Sequence, residues 1–499
     1  MKTFTGDPGS MPAGERPAGR GPSEAAGLLR NSLFILLSRG IQLATSFFVV
    51  VAVARYLSID QYGEYSFLVA YVSSIMALAY FGIQQVLIRE IALDREAAAR
   101  IMGVALRLRT LLSAVAVVII AVSLLFMKLP RLLIAASAIA IASEFFLSLS
   151  LLSKAVFQAF ERMVYEPAIT VVSSVALACG IGSVIYFDLG FLPIFGAAAL
   201  ANLAQLGAAS LIISRRFTRP SSSFDGRLFR KFLGKAVVIG VGVFLYQNLF
   251  KINVLLLRWF GSVQDVAFFN APHSLLMQIQ VVPMSLVMAV FPVFSRLMRS
   301  DRERLLGIYE KVFRGLFVFS SGVAVVLGGF PREVVGMVFG GRYEPSAQAL
   351  LIMAWATIPL TMDMLLNAML IAMDRQRYAV FYAGAALVIN ILAGVFVIPK
   401  HGFLGASVLS VVSNLILFFC SLFFVSRNGF PLPVAGMAAR TAVASAVAMI
   451  VIVLLKPVSP VAAGAAGVVL FAAAVVATRA FTVEEIFFLK KRLFEERRG

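Results

Sequence analysis

"SLFILLSRGIQLATSFFVVVAVA", residues 32–54, is an apolar run that carries a single charge, Arg39. As a helix rising 1.5 Å per residue it would reach about 34 Å, enough to cross a hydrocarbon core of about 30 Å. At 100° per residue, with Arg39 as reference, Ser46, Gln42, Asn31, Ser38 and Thr45 fall within about 120° on one side, and Ser32 about 20° on the other. The remaining face is Leu, Ile, Phe, Val and Ala. One polar stripe on such a helix faces protein or water rather than lipid. Two readings stay open: small polar groups bonding between helices, which accounts for the serines but not for Arg39, and a water-filled lumen.

Outward from this run the pattern repeats. The chain has 499 residues, 60% hydrophobic and 14% charged, with a mean hydropathy of +0.92. A soluble protein could not cover that much apolar surface with so few charges. The fold class is therefore an all-α polytopic membrane protein with about 14 transmembrane helices. The expected segments are 32–54, 63–83, 104–126, 132–153, 168–186, 191–213, 236–257, 266–292, 313–329, 347–371, 378–398, 403–425, 437–455 and 459–478. Pro283 and Pro359 predict bends within two of them.

A net charge of +19 would point a soluble protein toward nucleic acid; here it sets orientation instead. Of 44 Lys and Arg, 34 lie in even-numbered connections and termini and 8 in odd-numbered ones. The excess of positive charge marks the cytoplasmic side, so both termini are expected in the cytoplasm, and no nucleic-acid partner is expected.

Short motifs recur about 203–213 residues apart. Asp94–Glu96 ("DRE") returns at Asp301–Glu303, Ala54–Leu57 ("ARYL") matches Leu257–Phe260 ("LRWF"), and Glu161-Arg162 matches Asp374-Arg375. Gly190 with Asn202 matches Gly402 with Asn414. Six helices per repeat predict two lobes related by a pseudo-two-fold axis along the membrane normal, with a site between them. The expected organisation is a disordered cytoplasmic tail (1–30), a six-helix lobe (31–216), a cytoplasmic amphipathic linker (217–235), a second six-helix lobe (236–428), two further helices (429–480) and an amphipathic cytoplasmic tail (481–499). The linker and the last tail are expected on the membrane surface beside anionic lipid.

The segment 236–257 places Gln247, Asn248 and Lys251 on one arc of about 100°. Lys251 lies about 10 Å below the outer boundary, so snorkelling to water and a place in a cavity are both open. Other intramembrane polar residues are Glu144, Asn270, His273, Gln280, Asp363 and Asn367. Glu144 and Asp363 are either structural partners of Arg39 and Lys251 or protonatable coupling groups. The candidate substrate-binding set is Arg39, Gln42, Ser46, Gln247, Asn248, Lys251, His273 and Gln280. Two cations, one per lobe, converging on one lumen would suit an anionic headgroup.

Motifs of soluble enzymes are missing. Gly234-Lys235 lacks the upstream glycine of a phosphate loop, and Gly240-Val-Gly242 lacks the third glycine of a dinucleotide loop. His273 and His401 have no ligand partners at metal spacing, and Cys179 and Cys420 form no framework. No cofactor, metal or catalytic activity is expected.

The stretch Arg30–Val72, with its polar helix start, Ala54-Arg55-Tyr56-Leu57 and Tyr62-Gly63-Glu64-Tyr65, resembles the opening of bacterial polysaccharide, O-antigen-type flippases. These belong to the multidrug/oligosaccharidyl-lipid/polysaccharide exporter superfamily. The resemblance implies two six-helix lobes in a V that rock between inward- and outward-open states. Its implied cargo is an oligosaccharide linked through pyrophosphate to undecaprenol, carried across the bacterial inner membrane for lipopolysaccharide or other surface polysaccharide. Implied partners are membrane lipids and the polymerase and glycosyltransferases of the same pathway. Multidrug exporters of the superfamily usually carry an acidic residue in helix 1 or 7, and this chain has none there. The alternatives are a gradient-driven drug or small-solute exporter and a membrane-embedded glycosyltransferase or polymerase.

Overall fold

Long apolar stretches in lipid leave the backbone no partner but itself, and a helix satisfies each N–H and C=O within one segment. The computed structural model describes residues 22–478 except 163, 218, 222 and 224, with side chains from residue 37 onward apart from 238. Among the described residues all regular structure is helical. The first group comprises α1 (Pro22–Tyr56), α2 (Ile59–Tyr80), α3 (Ile83–Leu93), α4 (Ala98–Met127), α5 (Arg131–Ala159), α6 (Tyr165–Tyr186) and α7 (Leu192–Arg216). Next come α8 (Gly226–Leu249), α9 (Ile252–Phe260), α10 (Val263–Ile279), α11 (Val281–Ser300), α12 (Arg302–Gly329) and α13 (Pro331–Phe339). A 3₁₀ turn, Gly341–Tyr343, leads to α14 (Ser346–Ala354), α15 (Thr357–Ala372), α16 (Arg377–Arg427), α17 (Val434–Leu455) and α18 (Pro460–Ala477).

Among the described residues, eleven candidate spans stand as single units, or thirteen when each of two bent pairs counts as one. The expected fourteen differs from thirteen by one, because α16, one continuous span by length, was expected as two segments. It is interrupted at Gly402, with φ 52° and ψ −134°, a backbone conformation that glycine adopts without a side-chain clash. Asn390 Nδ2 donates to Ser413 Oγ at 2.6 Å, 23 residues along the chain. A straight helix would hold those residues about 34 Å apart, so α16 is a hairpin of two antiparallel arms.

Two other spans are broken. α8 and α9 meet at 52°, and α14 and α15 at 46°. The second break falls just before Pro359, and the step from α10 to α11 falls just before Pro283; each proline ring excludes the carbonyl four residues earlier. The α8–α9 break has no proline. Asn248 Nδ2 donates to the Phe244 carbonyl at 2.9 Å, a side chain competing for the helical acceptor.

Three expectations change. The tail expected to be disordered through residue 30 is helical from Pro22, a proline start followed by helix-forming Glu, Ala and Leu. Residues 226–235, expected as a surface linker, are the opening of α8, capped by Asp225, whose Oδ1 accepts from the Arg227 and Leu228 N–H groups at 3.0 Å. Phe232 is buried there beside Ile83, Leu87 and Val156, and Lys235 pairs with Glu90. Arg109, counted with the connection 85–110, lies inside α4 and is fully buried. The tail 481–499 lies outside the described residues.

The repeated motifs do the same local work twice. Asp94 and Asp301 each accept from the N–H three residues on, at 2.9 Å. Glu161 and Asp374 both take positive φ, 59° and 56°, and the next residue's N–H reaches back to Phe157 and Leu370 carbonyls at 2.9 and 2.8 Å. Ser58 and Ser262 each head a capping box, on α2 and α10.

The apolar core is divided. One cluster lies in the first half, joined by Phe232 and Ala236 of α8; a second lies in the second half; a third packs α17 and α18 on α12. The largest joins both halves at the end carrying Tyr56, Leu257 and Tyr343. There Arg55 Nε donates to the Val338 carbonyl at 2.8 Å, Arg342 Nη2 to the Arg55 carbonyl at 2.6 Å and the Tyr343 hydroxyl to the Ala54 carbonyl at 3.0 Å. Arg258 pairs with Glu64 at 3.3 Å. The halves are closed at this end.

Candidate substrate cavity

The α8–α9 break makes Lys251 the residue that caps the start of α9, the end of a helix at which the dipole is positive. Lys251 and Gln247 from the second half face Glu144 of α5 and Ser73, Tyr80, Gln84 and Gln85 of α2 and α3 from the first. These residues enclose a cavity of about 310 Å³. The Tyr80 hydroxyl donates to Glu144 Oε2 at 2.9 Å. Behind Tyr80, the Arg109 guanidinium carbon lies 5.3 Å from the ring centroid.

The structure thus brings Gln247, Lys251 and Glu144 together and leaves the other expected residues elsewhere. Arg39 and Gln42 are exposed on α1. Ser46 accepts from Gln278 Nε2 at 2.8 Å. Asn248 is buried; besides Phe244 its amide reaches the Ser74 carbonyl at 3.4 Å. The His273 ring stacks on Phe269, centroids 5.4 Å apart. Gln280 accepts from Thr361 Oγ1 at 2.9 Å. Asp363 is fully buried in the second half, where Tyr246 donates to its Oδ2 at 3.4 Å.

Sequence reasoning missed Tyr80, Gln84, Gln85 and Arg109. The available signal was "YFGIQQ", residues 80–85, a glycine-broken helix end followed by two amides. Asn248 was misplaced because the arc assumed one straight helix through residue 251.

The cavity therefore offers a cation, three amides and hydroxyls to an occupant, with one carboxylate opposite. Residues 28–298, more than half of the chain, match the family of polysaccharide biosynthesis proteins. The chain belongs to that family. An uncharacterised membrane protein of Methanocaldococcus jannaschii is 21% identical over 216 residues, which are 42% of each chain. The alignment thus spans less than half the length of that relative. Among solved structures, the lipid II flippase MurJ in an inward closed conformation aligns with a TM-score of 0.71 at 12% identity, over 88% of this chain and 98% of that one. An inward-facing multidrug transporter of the MOP superfamily gives 0.64 at 16%, over 79% and 98%. A MOP superfamily transporter from Pyrococcus furiosus gives 0.58 at 14%, over 80% and 94%. At these identities the likeness establishes the fold alone: this polysaccharide biosynthesis protein has the multi-pass, all-helical membrane fold of those structures.

Proposed function

We propose that this polysaccharide biosynthesis protein is a flippase that moves an undecaprenyl pyrophosphate-linked oligosaccharide across the bacterial cytoplasmic membrane by alternating access, with no catalytic step. The reading rests on one observation above the others: an ammonium set at a helix break, facing a cavity lined by both halves. A cation beside a helix N-terminus, with amides around it, suits a pyrophosphate. Both termini face the cytoplasm in this reading, and glycosyltransferases and a polymerase of the same pathway make and consume the cargo. Arg39 would meet the headgroup when α1 moves with the opening halves.

A second reading, a gradient-driven exporter of small cationic solutes, draws on Glu144, which lines the same cavity. Complementation of a flippase-null strain, beside a membrane-abundance blot, separates the two. Lys251→Met is expected to insert normally and lose polysaccharide export. Full export by that variant at normal abundance would return Lys251 to snorkelling and sink the anion-site reading.

A further inference from the structure

Glu144 and Lys251 line one cavity and are near enough to feel each other's charge, yet no ion pair within 4 Å joins them among the described residues. Away from bulk water such charges attract strongly, so something holds them apart. The Tyr80 hydroxyl bonded to Glu144 Oε2 is in place to do so. Its ring is held in turn by Arg109, a fully buried guanidinium whose Nε, Nη1 and Nη2 have no hydrogen-bond partner among the described residues. A buried cation with no anion on it is costly to the fold, and the π-face of Tyr80 is the contact it makes. The tyrosine is therefore fixed twice, at the ring by a cation and at the hydroxyl by a carboxylate.

We propose that Tyr80, backed by Arg109, is a positioning residue that keeps Glu144 withdrawn from Lys251, leaving the ammonium free for a phosphoryl group. This rests on the anion-site reading above. Without the hydroxyl, Glu144 turns to Lys251 and occupies the place of the cargo anion. Gln84, Gln85, Gln247 and Ser73 are neutral and cannot substitute for that competition. Arg109 acts through the ring alone and touches no cargo.

The test titrates inorganic pyrophosphate into the full-length protein in zwitterionic nanodiscs. Tyr80→Phe keeps the ring over Arg109 and removes one oxygen, so the fold is little disturbed. Its affinity is expected to fall on the order of tenfold, a coupling usual within one hydrogen-bonded network. The double variant Tyr80→Phe/Glu144→Gln is expected to return to the wild-type value, because an amide does not compete for the ammonium. A double variant as weak as Tyr80→Phe would mean that Tyr80 touches the anion itself, which overturns the proposal. Weaker binding in Glu144→Gln alone overturns it too. Lys251→Met in the same titration separates the two levels of inference. If it loses binding while Tyr80→Phe binds normally, only the positioning role falls. If it binds as wild type does, the anion site falls and the positioning role falls with it.

Discussion

A lysine ammonium near mid-bilayer costs about 2.5–3.5 kcal/mol on insertion scales, and among the described residues no ion pair offsets it for Lys251. Guanidinium at the same place keeps the charge and changes the geometry, so Lys251→Arg is expected to retain part of the export that Lys251→Met loses. Complementation titre at matched abundance reads the difference; equal loss in both would mean that shape, not charge, matters there. Arg39→Met is expected to lower export as well, and full activity would remove Arg39 from the cargo path. Asp363 lies away from the cavity with Tyr246 on its oxygen, and Asn keeps that acceptor. Asp363→Asn is therefore expected to leave pyrophosphate affinity unchanged while altering transport rate or its dependence on an imposed gradient. Lys251, Gln247 and Glu144 were legible because a charge or an amide in an apolar run is conspicuous. Arg109 was not, since a cation a few residues inside an apolar segment reads as part of the adjoining connection. Tyr80 passes for one more apolar residue.

At the level of elements, apolar runs located the helices well, because length against bilayer thickness is a strong constraint. Their bends were legible only at Pro283 and Pro359. The α8–α9 break comes from an asparagine taking a backbone acceptor, a choice that composition does not reveal. The approach of α2 to α10 is equally hidden, though Gly63 makes it possible: a Cβ there would lie 2.2 Å from the Val263 carbonyl oxygen. Gly63→Ala must push these helices apart at the closed end. We expect the variant to open that end, so that a cysteine replacing Ser66, whose hydroxyl accepts from Asn270 at 2.9 Å, reacts several-fold faster with a water-soluble maleimide. An unchanged labelling rate would mean that the contact relaxes within one half.

For the whole molecule, the charge distribution predicts sidedness. Single cysteines at Ser58 and Lys400 are expected to label from outside the cell and those at Ser222 and Arg375 only after permeabilisation, with Cys179 and Cys420 replaced first; reversal at either pair would break the topology. Alternating access predicts that bridging Ser66→Cys and Asn270→Cys with a short cross-linker halts export and that a cleavable linker restores it. The division of the apolar core between the halves supports this, and no run of sequence announced it, because residues such as Phe232 join a cluster far away in the chain. The seal at the closed end has a different consequence. Arg55, Arg342 and Tyr343 all donate to main-chain oxygens, those of Val338, Arg55 and Ala54. Any amino acid at position 338 brings the same oxygen, so that bond survives a change of side chain there; Ala54, fully buried, is fixed by packing instead, and Arg55, Arg342 and Tyr343 are fixed by the bonds they donate. Substitutions accumulating at position 338 and not at Arg55, Arg342 or Tyr343 would be the mark of a barrier built from backbone.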